Sequence, residues 1–234
     1  MDNNEERIYN EIWSSKIRND TLNKIYNNLR IFEAIKYLDK GKRILDIGCS
    51  KGELGLLVRE KFEEIYGVDI SEFALKIAEK NGVITQKVNL NYENLPYENN
   101  FFDAIVCLDV IEHIINPFHL LAEIKRVLKP QGVLILTTPN FRKIKNILYL
   151  LVIGKFPKTS TDASFWDGGH LHYFTFKDIK WLLKCHGFSI VSKGYIFTKE
   201  KYVIFKFFLE KLLPKNLFSE FIASGILVKA VKNP

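Results

Sequence analysis

Arg43-Ile44-Leu45-Asp46-Ile47-Gly48-Cys49-Ser50-Lys51-Gly52 decides how this chain folds. An apolar run carries an acid near its end and breaks into a tight turn of small residues. That pattern is a buried strand running into a glycine turn. Glycine suits such a turn because its backbone can take a positive φ and approach a ligand closely. Further on, Ile65-Tyr66-Gly67-Val68 ends in Asp69. A strand, a glycine turn, a helix and a second strand ending in a carboxylate form one half of a nucleoside-binding α/β domain. An ionised acid can only accept hydrogen bonds, so Asp69 suits the two hydroxyl donors of a ribose.

The turn also bears on which nucleoside. Dinucleotide sites favour G-x-G-x-x-G and a bare helix N-terminus that holds a pyrophosphate. Here Asp46 stands just before Gly48 and Gly52, a poor neighbour for a diphosphate. It is a good neighbour for a cation, such as the ammonium and sulfonium of S-adenosyl-L-methionine. The turn therefore argues against a nicotinamide oxidoreductase.

Strands are predicted over 43–48, 64–69, 83–88, 102–108 and 132–138, with helices at 52–61, 71–81 and 117–129. This alternation implies a mostly parallel sheet covered on both faces, with ligands beyond the carboxyl ends of its strands. Thr175 and Asp178 fit a capping box opening a helix at 176–186. Phe188–Lys193 reads as a strand, 201–213 as a broad apolar helix and 225–232 as the final strand. The expected fold is a Rossmann-like three-layer α/β/α sandwich with a mostly parallel seven-stranded sheet, in a single domain. Residues 1–38 form a helical cap with apolar residues at helical intervals over 5–38. Residues 40–140 form the cofactor core, 141–185 an insert and acceptor-pocket region, and 186–234 the C-terminal strands and apolar helix.

Four further segments narrow the family. They are Asn89-Leu90-Asn91-Tyr92-Glu93-Asn94-Leu95-Pro96-Tyr97, Phe101–His113, Leu121–Gly132, and Val133–Thr138 ending in Thr138-Pro139-Asn140. With the glycine turn, this ordered set resembles the class I S-adenosylmethionine-dependent methyltransferases. The resemblance covers residues 40–190. It is nearest the small-molecule branch that includes the ubiquinone-biosynthesis O-methyltransferases and the methionine-biosynthesis MetW proteins. It implies that Asp46, Gly48, Cys49 and Gly52 surround the methionine part of the cofactor. Asp69 would hold the ribose and Ile70 would lie beside the adenine. Asn89 would accept from the adenine amine, with Asn91 as the alternative if the register slips by two. Leu108 and Asp109 would end the fourth strand beside the cofactor. Two positions depart from the family pattern: Ser50 stands where many relatives have glycine, and Asn89 replaces the usual acid.

The resemblance implies a methyl acceptor that is a small molecule: a sugar, a glycan precursor, a quinone precursor or a related metabolite. The alternative is a non-catalytic or partner-dependent subunit that keeps the fold, as the MetW resemblance permits. The fourth strand ends in Asp109-Val110-Ile111-Glu112 rather than an N-P-P-Y-like motif, which argues against nucleic acid as the acceptor.

Composition adds a second signal. The chain has 234 residues and a formal net charge of +7. Residues 1–139 hold 18 basic and 21 acidic side chains, a net of −3, whereas 140–234 hold 16 basic and 6 acidic, a net of +10. Such asymmetry reads either as a solvated basic face or as a sign of an anionic partner: a phosphorylated or lipid-linked substrate, an acidic membrane surface met peripherally through the basic half, or nucleic acid. The apolar stretch 144–153 reads either as ordinary core or as a pocket or membrane surface. The polar start at Met1–Glu6 predicts no signal peptide, and no apolar run approaches the roughly 20 residues of a spanning helix. Cys49, Cys107 and Cys185 form no even framework and no C-x-x-C, which predicts small buried thiols in a reducing cytoplasm and no structural zinc.

The acceptor side is predicted at Gly169-His170-Leu171-His172-Tyr173-Phe174-Thr175, which resembles the G-H-x-x-x-F-T segment of related bacterial methyltransferases. An alcohol acceptor needs a base, and histidine has a suitable pKa. In an extended segment His170 and His172 share a side. His170 reads either as the base or as a residue that orders the loop through Asp109 or Asp167, and His172 carries the same ambiguity. Metal binding by this His-x-His pair lacks a third ligand in the sequence, so no metal is expected. His113, beside Glu112, is expected to shape the loop after the fourth strand.

Overall fold

The computed structural model describes residues 29–160, 166–197 and 215–234. Most of the expected leader helix, part of the insert and the expected helix over 201–213 lie outside the described residues. In chain order the elements are α1 (Leu29–Ile35), β1 (Gly41–Ile47), α2 (Glu53–Val58), β2 (Phe62–Asp69), α3 (Glu72–Lys80), β3 (Ile84–Lys87) and β4 (Phe102–Leu108). They continue with α4 (Pro117–Val127), β5 (Leu128–Pro139), α5 (Ile144–Ile153), α6 (Phe176–Cys185), β6 (Phe188–Ile196), α7 (Lys215–Ile222) and β7 (Gly225–Lys232). Short 3-10 turns cover Ile111–His113 and Trp166–Gly169.

The seven strands form one sheet in the order β3-β2-β1-β4-β5-β7-β6. Each neighbouring pair from β3 to β5 is parallel. Strand β7 runs antiparallel to both β5 and β6. The expectation of a mostly parallel sheet therefore holds, with one reversed strand near the edge. Strand order turns back at β1, so the carboxyl ends of β1 and β4 flank a crevice of the kind that binds nucleosides.

Alternation along the strands assigns the two faces. Leu45 and Ile47 of β1 and Ile105 and Cys107 of β4 pack with α4 and α6. Ile44, Ala104 and Val106 point the other way, onto α1, α2 and α3. Each face is thus a separate apolar layer, as expected for a sheet covered on both sides.

Local chemistry sets the helix starts. The Ser71 hydroxyl accepts from the Ala74 N–H at 3.2 Å and opens α3. Asn116 caps α4 ahead of Pro117. Thr175 and Asp178 form the expected capping box of α6, each satisfying the other's backbone N–H. Strand β5 begins at Leu128, earlier than the sequence suggests. A register shift between Phe102 and Ala104, with Gln131 at φ 61°, carries Lys129–Gly132 along as an irregular stretch of strand rather than a loop.

Two expectations about burial are corrected. Helix α5 is not ordinary core: Leu151 and Val152 are 74% and 76% exposed, and of its residues only Asn146 is buried. Apart from Lys145 and Asn146 the helix is apolar, and among the described residues little covers its side chains. Of the three thiols, Cys49 and Cys107 are buried but Cys185 is exposed, because it ends α6 on its outer face.

Candidate active site

Parallel pairing aligns the ends of β2, β1 and β4, with Val68 beside Ile47 and Ile47 beside Cys107. The turn after β1 therefore emerges between Asp69 and the Leu108-Asp109 end of β4. Backbone hydrogen bonds pin it: the N–H groups of Gly48 and Cys49 donate to the Val68 carbonyl at 2.8 and 3.0 Å. Gly48 has φ 71°, and a Cβ there would come within 2.5 Å of a Val110 methyl. Gly52 has φ 75° and precedes α2 directly. Ser50, the departure from glycine, still takes a glycine-like φ of 50°. Its N–H donates to the Asp69 carboxylate at 2.9 Å, which secures this uncommon conformation.

Asp69 is buried and uses its other oxygen to accept from the Ser71 N–H at 2.9 Å. A carboxylate offers about four acceptor sites, so these backbone bonds leave capacity for a ligand. Burial raises its pKa, while the N–H groups of Ser71, Ser50 and Ile70 pull it back. Asp46 differs: it is only 7% exposed, and none of the described residues donates to it. Burial pushes its carboxyl well above the usual range, and Asp69 and Glu53 add repulsion. Its ionised form is therefore disfavoured in the free protein.

Ile70 is half-buried at the same edge. The Asn89 side-chain oxygen accepts from the Asn91 N–H at 3.1 Å, and the Glu93 carboxylate accepts from the Asn89 N–H at 2.7 Å. The Asn91 side-chain oxygen accepts from the Ile115 N–H at 2.9 Å and ties this loop to the one after β4. Arg126 holds the loop from α4, donating to the Leu95 and Tyr97 carbonyls at 2.7 Å each while paired with Glu123.

Leu108 is half-buried and leads into Asp109, which has φ 51°. The Asp109 N–H donates to the Thr137 carbonyl and hydroxyl oxygens, and Thr137 returns its own proton to Asp109 at 2.6 Å. Arg30 of α1 donates to the other Asp109 oxygen. Cys107 is buried in the apolar layer beneath, where burial raises the pKa of its thiol and the charges of Glu112, Asp46 and Asp109 add to the rise.

The histidine segment docks on this loop. The Leu171 and His172 N–H groups both donate to the Glu112 carbonyl, at 2.8 and 3.0 Å. His170 Nδ1 lies 2.7 Å from the Thr159 hydroxyl and 3.5 Å from the buried Asp167 carboxylate. Asp167 is held by the Thr159 N–H, the Thr159 hydroxyl and the Ser160 N–H. Burial lowers the His170 pKa, against the pull of Asp167 and Asp109. His113 packs edge-on to His170 with ring centres 4.7 Å apart, and its pKa is lowered by burial and by the His170 charge.

His172 turns elsewhere, with Nε2 2.9 Å from the Ile114 carbonyl, so it serves the loop rather than the cluster. The fold thus gathers His170 with Glu112 and His113, not with His172. Sequence reasoning passed over Glu112 as a site residue. Its only sequence signal is an acid directly before a histidine at the end of a buried strand.

Residues 22–193 match the methyltransferase domain family. A ubiquinone biosynthesis O-methyltransferase of Coxiella burnetii is 34% identical over 128 residues, 50% of this chain and 54% of that protein. The chain thus spans about half the length of the first such relatives it matches. An uncharacterised protein of Methanocaldococcus jannaschii is 32% identical over 230 residues, covering 90% of this chain and 86% of the relative. The structure superposes with a TM-score of 0.68 on a crystal structure of an S-adenosylmethionine-dependent methyltransferase from Thermotoga maritima, described as a possible histamine N-methyltransferase. That pair shares 19% identity and covers 97% of this chain and 99% of the other. With its strand order, its glycine turn and its match over most of its length, the chain belongs to the class I S-adenosylmethionine-dependent methyltransferases.

Proposed function

We propose that the chain transfers a methyl group from S-adenosylmethionine to an oxygen of a small-molecule acceptor. The observation that carries this reading is the buried Asp46 carboxylate, which has no donor among the described residues and faces the same crevice as Asp69. A cationic nucleoside answers both groups. The bound cofactor supplies a methyl group already activated on a sulfonium sulfur. The protein has to hold the two reactants in line and exclude water.

In this reading Asp46, Gly48, Cys49 and Gly52 enclose the methionine end. Asp69 accepts from the ribose, Ile70 and Asn89 border the adenine, and Leu108 and Asp109 form the wall nearest the methyl group. His170, neutral because burial lowers its pKa, takes the acceptor proton at Nε2, while Thr159 and Asp167 orient the ring through Nδ1. His172 positions the loop. Transfer to oxygen is supported by the O-methyltransferase relatives. Calorimetry with S-adenosylmethionine, followed by a screen of small-molecule fractions with a methyl-labelled donor, tests the proposal. An absence of binding to the donor and to its demethylated product would end it.

The acceptor, on this view, is anionic or lipid-linked and is met at a membrane surface. Exposed α5 and Phe156 support this, since Lys143, Lys145, Lys155 and Lys158 flank an apolar surface that water disfavours. No helix among the described residues is long and apolar enough to cross a membrane.

A further inference from the structure

Helices α4 and α6 cover the same face of the sheet. Leu120, Leu121 and Ile124 of α4 and Ile179, Leu182 and Leu183 of α6 are buried in one apolar layer. With that stripe buried, the outer face of a surface helix is ordinarily polar. Here it carries large apolar side chains: Ile115, Phe118, Leu171 and Trp181 are each between 44% and 57% exposed.

These side chains are joined rather than scattered. Phe118 meets Trp181 edge-on with ring centres 5.7 Å apart, and its ring centre lies 5.1 Å from that of His186. Ile115 stands just ahead of Phe118. Leu171 belongs to the segment bonded to the turn before Ile115, through the Glu112 carbonyl and, from His172 Nε2, the Ile114 carbonyl. The apolar stripe therefore begins at the loops that carry His113 and His170 and continues onto α4 and α6.

Its rim is basic. Lys177 and Lys184 recur with Trp181 at helical intervals along α6, and Lys180 adjoins them; all three lysines are exposed. The exposed Lys125 of α4 lies against Gly187, its Nζ 2.9 Å from where a Cβ would stand, beside His186. Elsewhere lysines are matched with acids, as Lys76 is with Glu72, Lys129 with Asp103 and Lys229 with Asp39. None of the four rim lysines forms an ion pair among the described residues. The acids of these two helices are committed: Asp178 closes the capping box, and Glu123 holds Arg126 and the Leu95 N–H.

We propose that this face is a docking surface for an acidic, apolar segment of a partner protein, seated as an amphipathic helix with its carboxylates over the lysines. An apolar centre with a charged rim is the anatomy of a protein interface, and tryptophan is the residue type that most often anchors one. The rim lysines supply the charge complementarity that selects an acidic partner. The aliphatic Ile115 and Leu171 offer no stacking face to nucleic acid bases. The half-covered rings, packed on one another, differ from the projecting Leu151 and Val152 of α5, which suit lipid. Because the stripe reaches the loops of His113 and His170, a seated partner would also steady the acceptor side.

The test needs neither methyl donor nor acceptor. A random peptide library displayed on phage is selected against the full chain, and enriched sequences are measured as soluble peptides by calorimetry. The expected peptides carry Asp or Glu together with large apolar residues at helical intervals, bind more weakly as salt rises, and slow hydrogen exchange over 115–122 and 177–184. Trp181→Ala should weaken them at least about tenfold, and Lys180→Glu with Lys184→Glu by a similar factor of about ten. Leu151→Glu with Val152→Glu should leave them unchanged. Melting curves establish that the variants are folded; should Trp181→Ala not fold, the lysine pair carries the test. No enrichment of acidic sequences, or parent-like affinity in the folded variants, overturns the surface. Binding of oligothymidylate or anionic vesicles that is lost in Trp181→Ala, with no peptide bound, assigns the face to nucleic acid or lipid and overturns it equally.

Discussion

The Asp167 carboxylate lies 3.5 Å from His170 Nδ1, with the Thr159 hydroxyl bridging the two. An acid beside an imidazole ordinarily raises its pKa, yet burial outweighs Asp167 and the His170 value falls. The neutral ring should therefore persist below the usual histidine value of about 6.5. The acid limb of turnover against pH is expected to lie under that value. His170→Ala should reduce turnover by about 10²–10⁴-fold and leave donor affinity nearly unchanged. A limb well above 6.5, or full activity in the variant, removes His170 from the reaction.

The same shift affects stability. His113 and His170 bind protons less readily folded than unfolded. Their stabilising contribution is complete above the unfolded value and is lost as pH falls through the folded one. Melting temperature should drop on acidification through this range, and less steeply in a His113→Asn variant.

Asp69→Ala should weaken S-adenosylmethionine binding at least about tenfold, or roughly 1.4 kcal/mol. It removes the proposed ribose acceptor and also releases the Ser50 and Ser71 N–H groups. Calorimetry decides this: unchanged affinity excludes a ribose role.

Asp46→Asn separates ligand binding from folding. The ionised Asp46 is unfavourable in the free protein, because burial and the charges of Asp69 and Glu53 all oppose it. The variant should melt no lower than the parent when free of ligand, and should gain much less from saturating donor. An undiminished ligand-induced rise in melting temperature contradicts the cation role.

Gly48→Ala forces a Cβ to 2.5 Å from Val110 at a positive φ. The expected loss is about 1–3 kcal/mol, or very roughly 2–4 °C of melting temperature per kcal/mol for a chain of this size. A parent-like melting curve would show that the turn can relax.

Liposome flotation addresses α5. The protein should float with anionic vesicles at low salt and be released as salt rises. Leu151→Glu with Val152→Glu should abolish flotation without lowering the melting temperature, since both side chains are already exposed. No flotation of the parent at low salt rejects the membrane contact.

Much of the fold was legible because it depends on local periodicity. The apolar runs of β1, β2, β4 and β7, the capping box at Thr175 and Asp178, and the glycine turn are each written within a few consecutive residues. The cofactor edge follows from them, since parallel register brings Asp46, Asp69 and Asp109 to one end of the sheet. The exposure of α5 was not legible, because an apolar run does not state whether anything covers it. Nor was the fate of the two histidines: shared alternation put His170 and His172 on one side, but their partners come from the loop after β4.

From residue order alone came the α/β fold, the acid-flanked turn and the aspartate that ends β2, since short-range sterics and apolar periodicity dictate them. Tertiary packing alone decided that β7 is reversed, that Ser50 takes a glycine-like turn, and that Glu112 faces His113 and His170. Those outcomes depend on segments far apart in the chain. A buried carboxylate reveals its need for a partner only once the fold has shut out water.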